Sequence, residues 1–419
     1  MRGRASDVTE GTMSTRELPD RSLVLLAIAS AIVTANAYYV HPIIGPIAED
    51  LGVGAGLVGA VPALNQIGLA LGIGLLLPLG DRVSNRRLVP VFLAAQTIAL
   101  AVMALAGEFV PFVVASTVLG FFTITPYLLP AYVSKRVGPT RLGHATAMLT
   151  TGVIAGVLLS RTVSGAVGEY FGWRTIYVVA AGLMALATVI LPLLMDDEVD
   201  PGDSSGAAPV PYGTLLASLL PLVREHPTVL VSGAIQALNF GIFLSVWLGI
   251  GLHLTSPELG YGTDAVGLLA VFAVVNLFTT PRLGRWADRI GPLRARFVVS
   301  LGQFAGVLCL YFMDATYWWL LLPITLMNVS GPLVDITGRM TALQQTAAIR
   351  TRLLTVYIIM MFTGAGAASW LGTLAYELGG WRGTCVLATV MSVLVVFLSG
   401  RAARTGAGKL TGDAEGEAP

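Results

Sequence analysis

The sequence predicts an all-α integral membrane protein of twelve transmembrane helices, arranged as two six-helix bundles related by an internal repeat. Three observations predict it. First, of 419 residues, 55% are hydrophobic and 12% are charged, where a soluble protein carries about 25% charged residues. Mean hydropathy is +0.77, and that much apolar side chain calls for a bilayer as its solvent. Second, twelve runs are long and apolar enough to cross one. Third, short motifs recur between the halves at offsets of 207 and 208 residues. The same composition excludes disorder for the bulk of the chain. A net charge of +1 excludes a nucleic-acid partner. Cys309 and Cys385 both fall inside apolar runs and are too few for a disulfide framework or a four-thiolate zinc site.

A spanning helix needs roughly 20 mainly apolar residues. The first run, 22–44, follows a cytoplasmic tail, 1–21. Arg16, Arg21 and Ala35-Asn36-Ala37 imitate a cleavable secretory signal, but the apolar run continues through Tyr39 to Ile44, which argues for a retained helix. The next five runs are 55–79, 87–107, 109–133, 143–168 and 174–195. They complete an N-terminal bundle over 22–195. Asp196 to Pro209 is acidic and small-residue rich, a solvated linker, and Tyr212 to His226 reads as an amphipathic surface stretch. This segment, 196–227, separates the bundles. Runs at 228–254, 264–283, 296–313, 316–340, 354–376 and 382–400 form the C-terminal bundle over 228–400, and 401–419 reads as a disordered cytoplasmic tail.

Lys and Arg set the orientation. With the N-terminus inside, the tails, the loops after the even spans and the adjoining helix ends hold 22 of the 25 basic residues. The opposite side holds Arg174 and Arg382, and Arg161 lies within span 5. Both termini are therefore expected in the cytoplasm. Arg outnumbers Lys 23 to 2, a composition that suits a GC-rich bacterial genome and hence a bacterial inner membrane.

Gly80-Asp81-Arg82 follows span 2, and Ala287-Asp288-Arg289 follows span 8. Glu169…Gly172-Trp173-Arg174 joins spans 5 and 6, and Glu377…Gly380-Trp381-Arg382 joins spans 11 and 12. A sustained shift of half a chain indicates two copies of a six-helix unit in one orientation. These residues resemble the major facilitator superfamily over nearly the whole chain. The family's loop pattern is Gly-x-x-x-Asp-Arg-x-Gly-Arg-Arg. The second copy keeps its core as Gly284, Asp288, Arg289 and Gly291. The first keeps Asp81, Arg82 and Arg86 but has Leu77 and Ser84 where glycines are usual. The resemblance implies that these loops latch the halves in one state and release them in another; they also serve as positive-inside anchors. In span 5, drug–proton antiporters carry Gly-Pro-x-x-Gly-Gly, where this chain reads Ser160-Arg161-Thr162-Val163-Ser164-Gly165. That is similar to the sugar-efflux (arabinose-efflux type) branch. Ser116 holds the place of the common span-4 arginine, so coupling schemes built on that arginine do not carry over.

Ionisable groups in mid-membrane cost about 2.5–3.5 kcal/mol each on insertion scales, so each needs a reason. Arg161 lies about 27 Å from the basic-rich end of its span at 1.5 Å per residue. It is read as an anchor for a polar or anionic substrate, as a partner for a titrating acid, or as a guanidinium that snorkels or bonds backbone carbonyls. Asp335, in span 10, is the proton-coupling candidate; the alternative is a structural pair with Arg339 at i,i+4. Asp335 and Arg161 are about 15 Å apart in depth by helix rise, which argues against a direct pair between those two. His41 and His253 are read as outer-interface residues, with proton handling as the alternative for each. Asn36, Tyr39, Gln66, Tyr127, Gln236, Asn239 and Asn328, with Asn65 in support, are the candidate lining of a substrate cavity. Gln96 is read as structural. No Walker loop and no His/Cys cluster is present, so neither ATP hydrolysis, an enzyme activity, a metal nor a cofactor is expected.

The expectation is a secondary active transporter, proton-coupled, exporting a small organic molecule by alternating access. It would work as a functional monomer in a lipid bilayer. Its partners are the substrate and protons, with no nucleic acid. Uptake by proton symport is the alternative, and a membrane sensor without transport is a third.

Overall fold

A computed structural model describes residues 18–195, 221 and 224–415. Most of the N-terminal tail and of the 196–227 linker, with its amphipathic stretch, lies outside the described residues. The described chain is helical throughout its spans. Span 1 is Asp20–Ala35 and Val40–Asp50; span 2 is Ala55–Val58 and Ala60–Leu76; span 3 is Asn85–Leu105; span 4 is Phe109–Phe122 and Thr125–Ser134. Spans 5, 6 and 7 are single helices, Pro139–Phe171, Trp173–Leu194 and Pro227–Leu254. Span 8 is Thr263–Val271 and Val275–Ile290, joined through a short 3-10 turn; span 9 is Pro292–Cys309; span 10 is Leu321–Leu343. The last helix, Ala347–Glu415, is divided into spans 11 and 12 where Gly379 and Gly380 leave helical geometry. Twelve spans result, a two-bundle all-α membrane fold.

Several helices run past the apolar runs, because a helix end in the headgroups needs no apolar side chain. After Arg401 the last helix is continuous to Glu415.

The breaks have causes in the sequence. Proline lacks an amide hydrogen and frees the carbonyl four residues before it. Pro42 frees Tyr38, and span 1 unwinds there into tight turns, Ala37 N to Thr34 O (3.3 Å) and His41 N to Tyr38 O (3.3 Å). Pro126 frees Phe122, and the Gln96 amide of span 3 donates to that carbonyl at 2.9 Å. Gln96 is therefore structural, as expected.

The Gly-Trp-Arg repeat makes the same turn twice. Gly172 (φ 83°) and Gly380 (φ 58°) take left-handed backbone between paired helices. The following tryptophans fill the two cores. Trp173 meets Phe112 edge-on at 5.4 Å, while Trp381 stacks on His253 at 5.4 Å and donates to Leu310 O at 3.0 Å. His253 is thus a packing residue of the C-terminal core.

Small residues bring backbones together. A Cβ on Gly152 would sit 2.2 Å from Ala27 O, and one on Gly156 2.3 Å from Ala31 O, so span 5 packs directly on span 1. The halves meet at the basic-poor end. Thr263 Oγ1 donates to Gly165 O (2.7 Å) and Thr162 Oγ1 to Gly267 O (3.1 Å). Glu169, ending span 5, accepts from Thr263 N at 2.8 Å, the first amide of span 8. Its repeat counterpart Glu377, ending span 11, accepts from Gly56 N at 2.6 Å, in the first turn of span 2. Each carboxylate satisfies an amide that the opposite bundle's helix leaves open, and sits at the positive end of that helix dipole.

Candidate functional site

Between the bundles lies a cavity of about 270 Å3, near the lower bound for pockets that take small organic ligands (roughly 300–1,000 Å3). The N-terminal half lines it with Tyr38, Tyr127 and the apolar face Val153, Ile154, Val157 and Leu158 of span 5. The C-terminal half supplies Gln236, Asn239, Phe240 and Phe243 of span 7, Gln303 of span 9, Asn328, Asp335 and Arg339 of span 10, and Met361 and Phe362 of span 11. Residues 236, 239, 240 and 243 follow i, i+3, i+4, i+7, one face of a helix. So do 328, 331, 332 and 335.

The polar groups are mostly the C-terminal half's. Asn239 Nδ2 donates to Gln236 Oε1 (2.9 Å) and to Gly331 O of span 10 (3.2 Å). That fixes the amide pair. Asn239 Oδ1 and Gln303 Oε1 are buried without a partner among the described residues, two acceptors that a ligand donor would satisfy. Pro332 removes the amide hydrogen that would otherwise bond the carbonyl of Asn328. Rings bridge the halves: Tyr127 meets Phe362 edge-on at 6.2 Å, Phe362 meets Phe240 at 5.8 Å, and Phe240 stacks on Phe243 at 5.9 Å.

Among the described residues, Asp335 is the only carboxylate in this wall. Arg339 Nε donates to both its oxygens (3.0 and 2.9 Å), and Tyr357 OH of span 11 donates to Oδ1 at 3.0 Å. The i,i+4 pair expected as one reading of Asp335 is therefore present. Both side chains keep partial exposure, 24% for Asp335 and 32% for Arg339, so the pair is in contact with the cavity and not sealed away.

Arg161 is 1% exposed and stands behind the wall. Its Nε donates to His41 Nδ1 at 3.0 Å and its Nη1 to Val157 O at 3.2 Å. The guanidinium carbon lies 5.0 Å from the Tyr38 ring and 4.8 Å from both the Phe243 and Trp247 rings. Among the described residues, Nη2 has no partner, nor has His41 Nε2. Since Nδ1 accepts, a neutral His41 carries its proton on Nε2. The snorkelling reading of Arg161 fails, because nothing of it reaches a surface. The acid-partner reading fails too, because among the described residues no carboxylate pairs with it. His41, expected at the outer interface, is fully buried.

Of the expected cavity residues, Tyr127, Gln236, Asn239 and Asn328 line it, with Asp335. Asn36, Tyr39, Gln66 and Arg161 do not. The unwinding at Tyr38 turns that ring inward in place of Asn36 and Tyr39. Gln66 is sealed by close backbone approach: a Cβ on Gly366 of span 11 would lie 2.7 Å from Ala63 O and 3.3 Å from Gln66 Cβ. Arg161 is covered by Tyr38 and Phe243. Asn65, the supporting candidate, bonds Ser116 O at 2.7 Å. The sequence reading missed Tyr38, Phe240, Phe243, Gln303 and Tyr357. The helical stripe that continues from Gln236 and Asn239 through Phe240 and Phe243 was a usable signal; for Gln303, on the helix Pro292–Cys309, the sequence offered none.

In the loops, the Asp81 side chain lies outside the described residues. Arg82 is exposed and Arg86 half-buried, and both engage neighbours. Gly284 ends no turn, whereas Gly291 (φ 89°) makes the left-handed step between spans 8 and 9. Asp288 and Arg289 are exposed and form no ion pair among the described residues.

Comparison with known proteins gives a consistent picture. The family model for the Major Facilitator Superfamily matches residues 26–348. The probable transporter SCO4007 of Streptomyces coelicolor is 30% identical over 376 residues, 89% of this chain and 85% of that protein. The multidrug resistance protein MdtG of Dickeya zeae is 23% identical over 221 residues, 52% of each chain. Among solved structures, a bacterial homolog of the human lysosomal transporter Spinster, in an inward-facing and unoccupied conformation, superposes with a TM-score of 0.75 at 13% identity, covering 94% of this chain and 98% of that one. That likeness is one of fold.

Proposed function

Because the chain belongs to the major facilitator superfamily and is a multi-pass membrane transporter, we propose that it exports a small organic molecule in exchange for protons, by alternating access. The observation that carries this reading is the cavity built jointly by both bundles, with Asp335 the sole carboxylate in its wall among the described residues. A carboxylate that touches the cavity can load a proton and release it when the bundles rock. Loading requires the bonds to Arg339 and Tyr357 to yield, so a substrate that engages either one would couple the two events.

The bundles meet at the basic-poor end, and the cavity extends toward Arg339 at the basic-rich end. The positive-inside rule supports a reading of this arrangement as a cytoplasm-facing state of an inner-membrane protein with both termini in the cytoplasm. Asp288 and Arg289, exposed and unpaired among the described residues, suit a released cytoplasmic latch. Export is favoured over uptake by the kinship with MdtG. The driving force is sufficient: each charge crossing 100 mV is worth about 2.3 kcal/mol.

The test uses an efflux-deficient bacterial host expressing wild type or Asp335→Asn at matched membrane levels. Accumulation of a broad compound panel is measured with and without a protonophore. Export predicts that wild type lowers accumulation of at least one compound and that both the protonophore and the substitution abolish this. If accumulation instead rises with wild type, the direction is inward. If the protonophore acts but Asp335→Asn does not, Asp335 is a structural partner of Arg339 only.

A further inference from the structure

The cavity's charges do not balance. In its wall Asp335 and Arg339 neutralise each other through two hydrogen bonds of 3.0 and 2.9 Å. A second guanidinium, Arg161, sits directly behind the wall, 1% exposed, with no carboxylate among the described residues to answer it. A buried charge without a counter-charge is costly and needs a reason. Three aromatic faces, one histidine nitrogen and the Val157 carbonyl hold it, but its Nη2 has no partner among the described residues.

The covering is thin and movable. Tyr38 and Phe243 each line the cavity and each lie against the guanidinium, at 5.0 and 4.8 Å. They are side chains on rotatable bonds. The Tyr38 hydroxyl makes no hydrogen bond among the described residues, so turning that ring breaks none. His41 meanwhile holds Nε at 3.0 Å and steadies the guanidinium. Turning Tyr38 aside would uncover the guanidinium toward the cavity.

We propose that the cargo is a small organic carboxylate, and that Arg161 binds its charged group once Tyr38 has turned aside. A carboxylate matches the planar guanidinium fork. The apolar body of such a molecule would lie along Phe240, Phe243 and Phe362, and its polar substituents against the free oxygens of Asn239 and Gln303. A cationic cargo is excluded on the same ground, since it would add to an uncompensated positive charge. The proposal rests on the transporter reading above and specifies its cargo.

The experiment is binding to the full chain in lipid nanodiscs, with no gradient. The probes are benzoate, salicylate and naphthoate, each with its neutral amide, and benzylammonium, read by the shift in thermal unfolding and by titration calorimetry. The expected result is that at least one carboxylate stabilises the protein and binds tenfold or more tightly than its amide. Arg161→Gln should erase that preference and Arg161→Lys should keep part of it. Should Arg161→Gln not fold, Tyr38→Ala serves instead: removing the lid should tighten carboxylate binding threefold or more and leave amide binding unchanged. The proposal is overturned if none of the carboxylates stabilises the protein, if amides or benzylammonium bind as tightly, if Arg161→Gln retains the preference, or if Tyr38→Ala changes nothing. Failure of the transport reading is separate. It is read as absent proton-driven flux in vesicles, which leaves a carboxylate preference standing; absence of the preference leaves export of neutral cargo standing.

Discussion

Gly172 combines φ 83° with ψ 150°, and Gly380 combines φ 58° with ψ −149°. This region is essentially closed to residues with a Cβ, and occupying it costs about 1–3 kcal/mol. Nothing stands within 4 Å of where either Cβ would be, so the cost is conformational and not one of space. Gly172→Ala and Gly380→Ala should each lower the thermal unfolding midpoint of the purified protein. Gly182→Ala is the control: its Cβ also meets nothing within 4 Å, but the site is helical, and there alanine is favoured over glycine by up to about 1 kcal/mol. Equal behaviour of all three would remove the conformational account of the repeated turn. In the cavity, Asn239→Leu removes the bonds to Gln236 and Gly331 and one unpartnered acceptor. A hydrogen bond is worth about 1 kcal/mol net, so the apparent affinity for a cargo that uses this amide should fall roughly fivefold, read by direct binding. Site residues were half legible. Gln236, Asn239, Asn328 and Asp335 could be found because polar groups on regular helices keep their face. Asn36 and Tyr39 misled because the chain unwinds between them, and a helical wheel does not survive a proline-induced break. Gln66 misled because only the fold reveals that Gly366 brings a second backbone onto it.

At the scale of elements, the spans were legible because bilayer thickness and backbone hydrogen bonding leave helices almost no alternative. Their interruptions were less so, although Pro42 and Pro126 mark two of them. The least legible feature was the use of Glu169 and Glu377. In the sequence they are only the first letters of a repeated turn motif. In the fold each reaches across to the other bundle and binds the opening amides of span 8 or span 2, at 2.8 and 2.6 Å. A carboxylate at a helix N-terminus contributes about 0.3–1 kcal/mol, up to about 2 when partly buried. Replacing it by glutamine keeps an acceptor and removes the charge. Taking about 1 kcal/mol, Glu169→Gln and Glu377→Gln should each shift the balance away from closure at this end about fivefold, and together, being separate contacts, about 25-fold. The reporter is Thr373→Cys, which faces Gly59 in the closed interface, in a background where Cys309 is serine. Its rate of reaction with a membrane-impermeant thiol reagent should rise in that order. An unchanged rate would mean that the carboxylates decorate the interface and do not hold it.

For the whole molecule, the half-chain repeat was the most informative signal. It implied two bundles of one design before any contact was known, and two such bundles with a cavity between them can expose it to one side or the other. The structure holds one of those states, with the halves in contact at the basic-poor end. Spans 1 and 7 show how close that contact is: a Cβ on Gly45 would lie 3.4 Å from Thr255 Cβ, close to the usual Cβ separation of a disulfide (about 3.5–4.5 Å). Thr255 Oγ1 lies nearer still, and in a paired cysteine the sulfur of position 255 becomes the bonding atom and ceases to be an obstacle. A Gly45→Cys/Thr255→Cys protein should therefore cross-link in mild oxidant with little rearrangement. Alternating access then makes a sharp demand. The cross-linked protein should bind cargo from the basic-rich side with unchanged affinity, since the cavity is intact. It should carry out no net transport, and a reductant should restore flux. Full transport by the cross-linked protein would mean that spans 1 and 7 stay together through the cycle and that the moving boundary lies elsewhere. Loss of both binding and transport would mean that the cavity itself depends on freedom at this end, which a rigid two-bundle rocking motion does not allow.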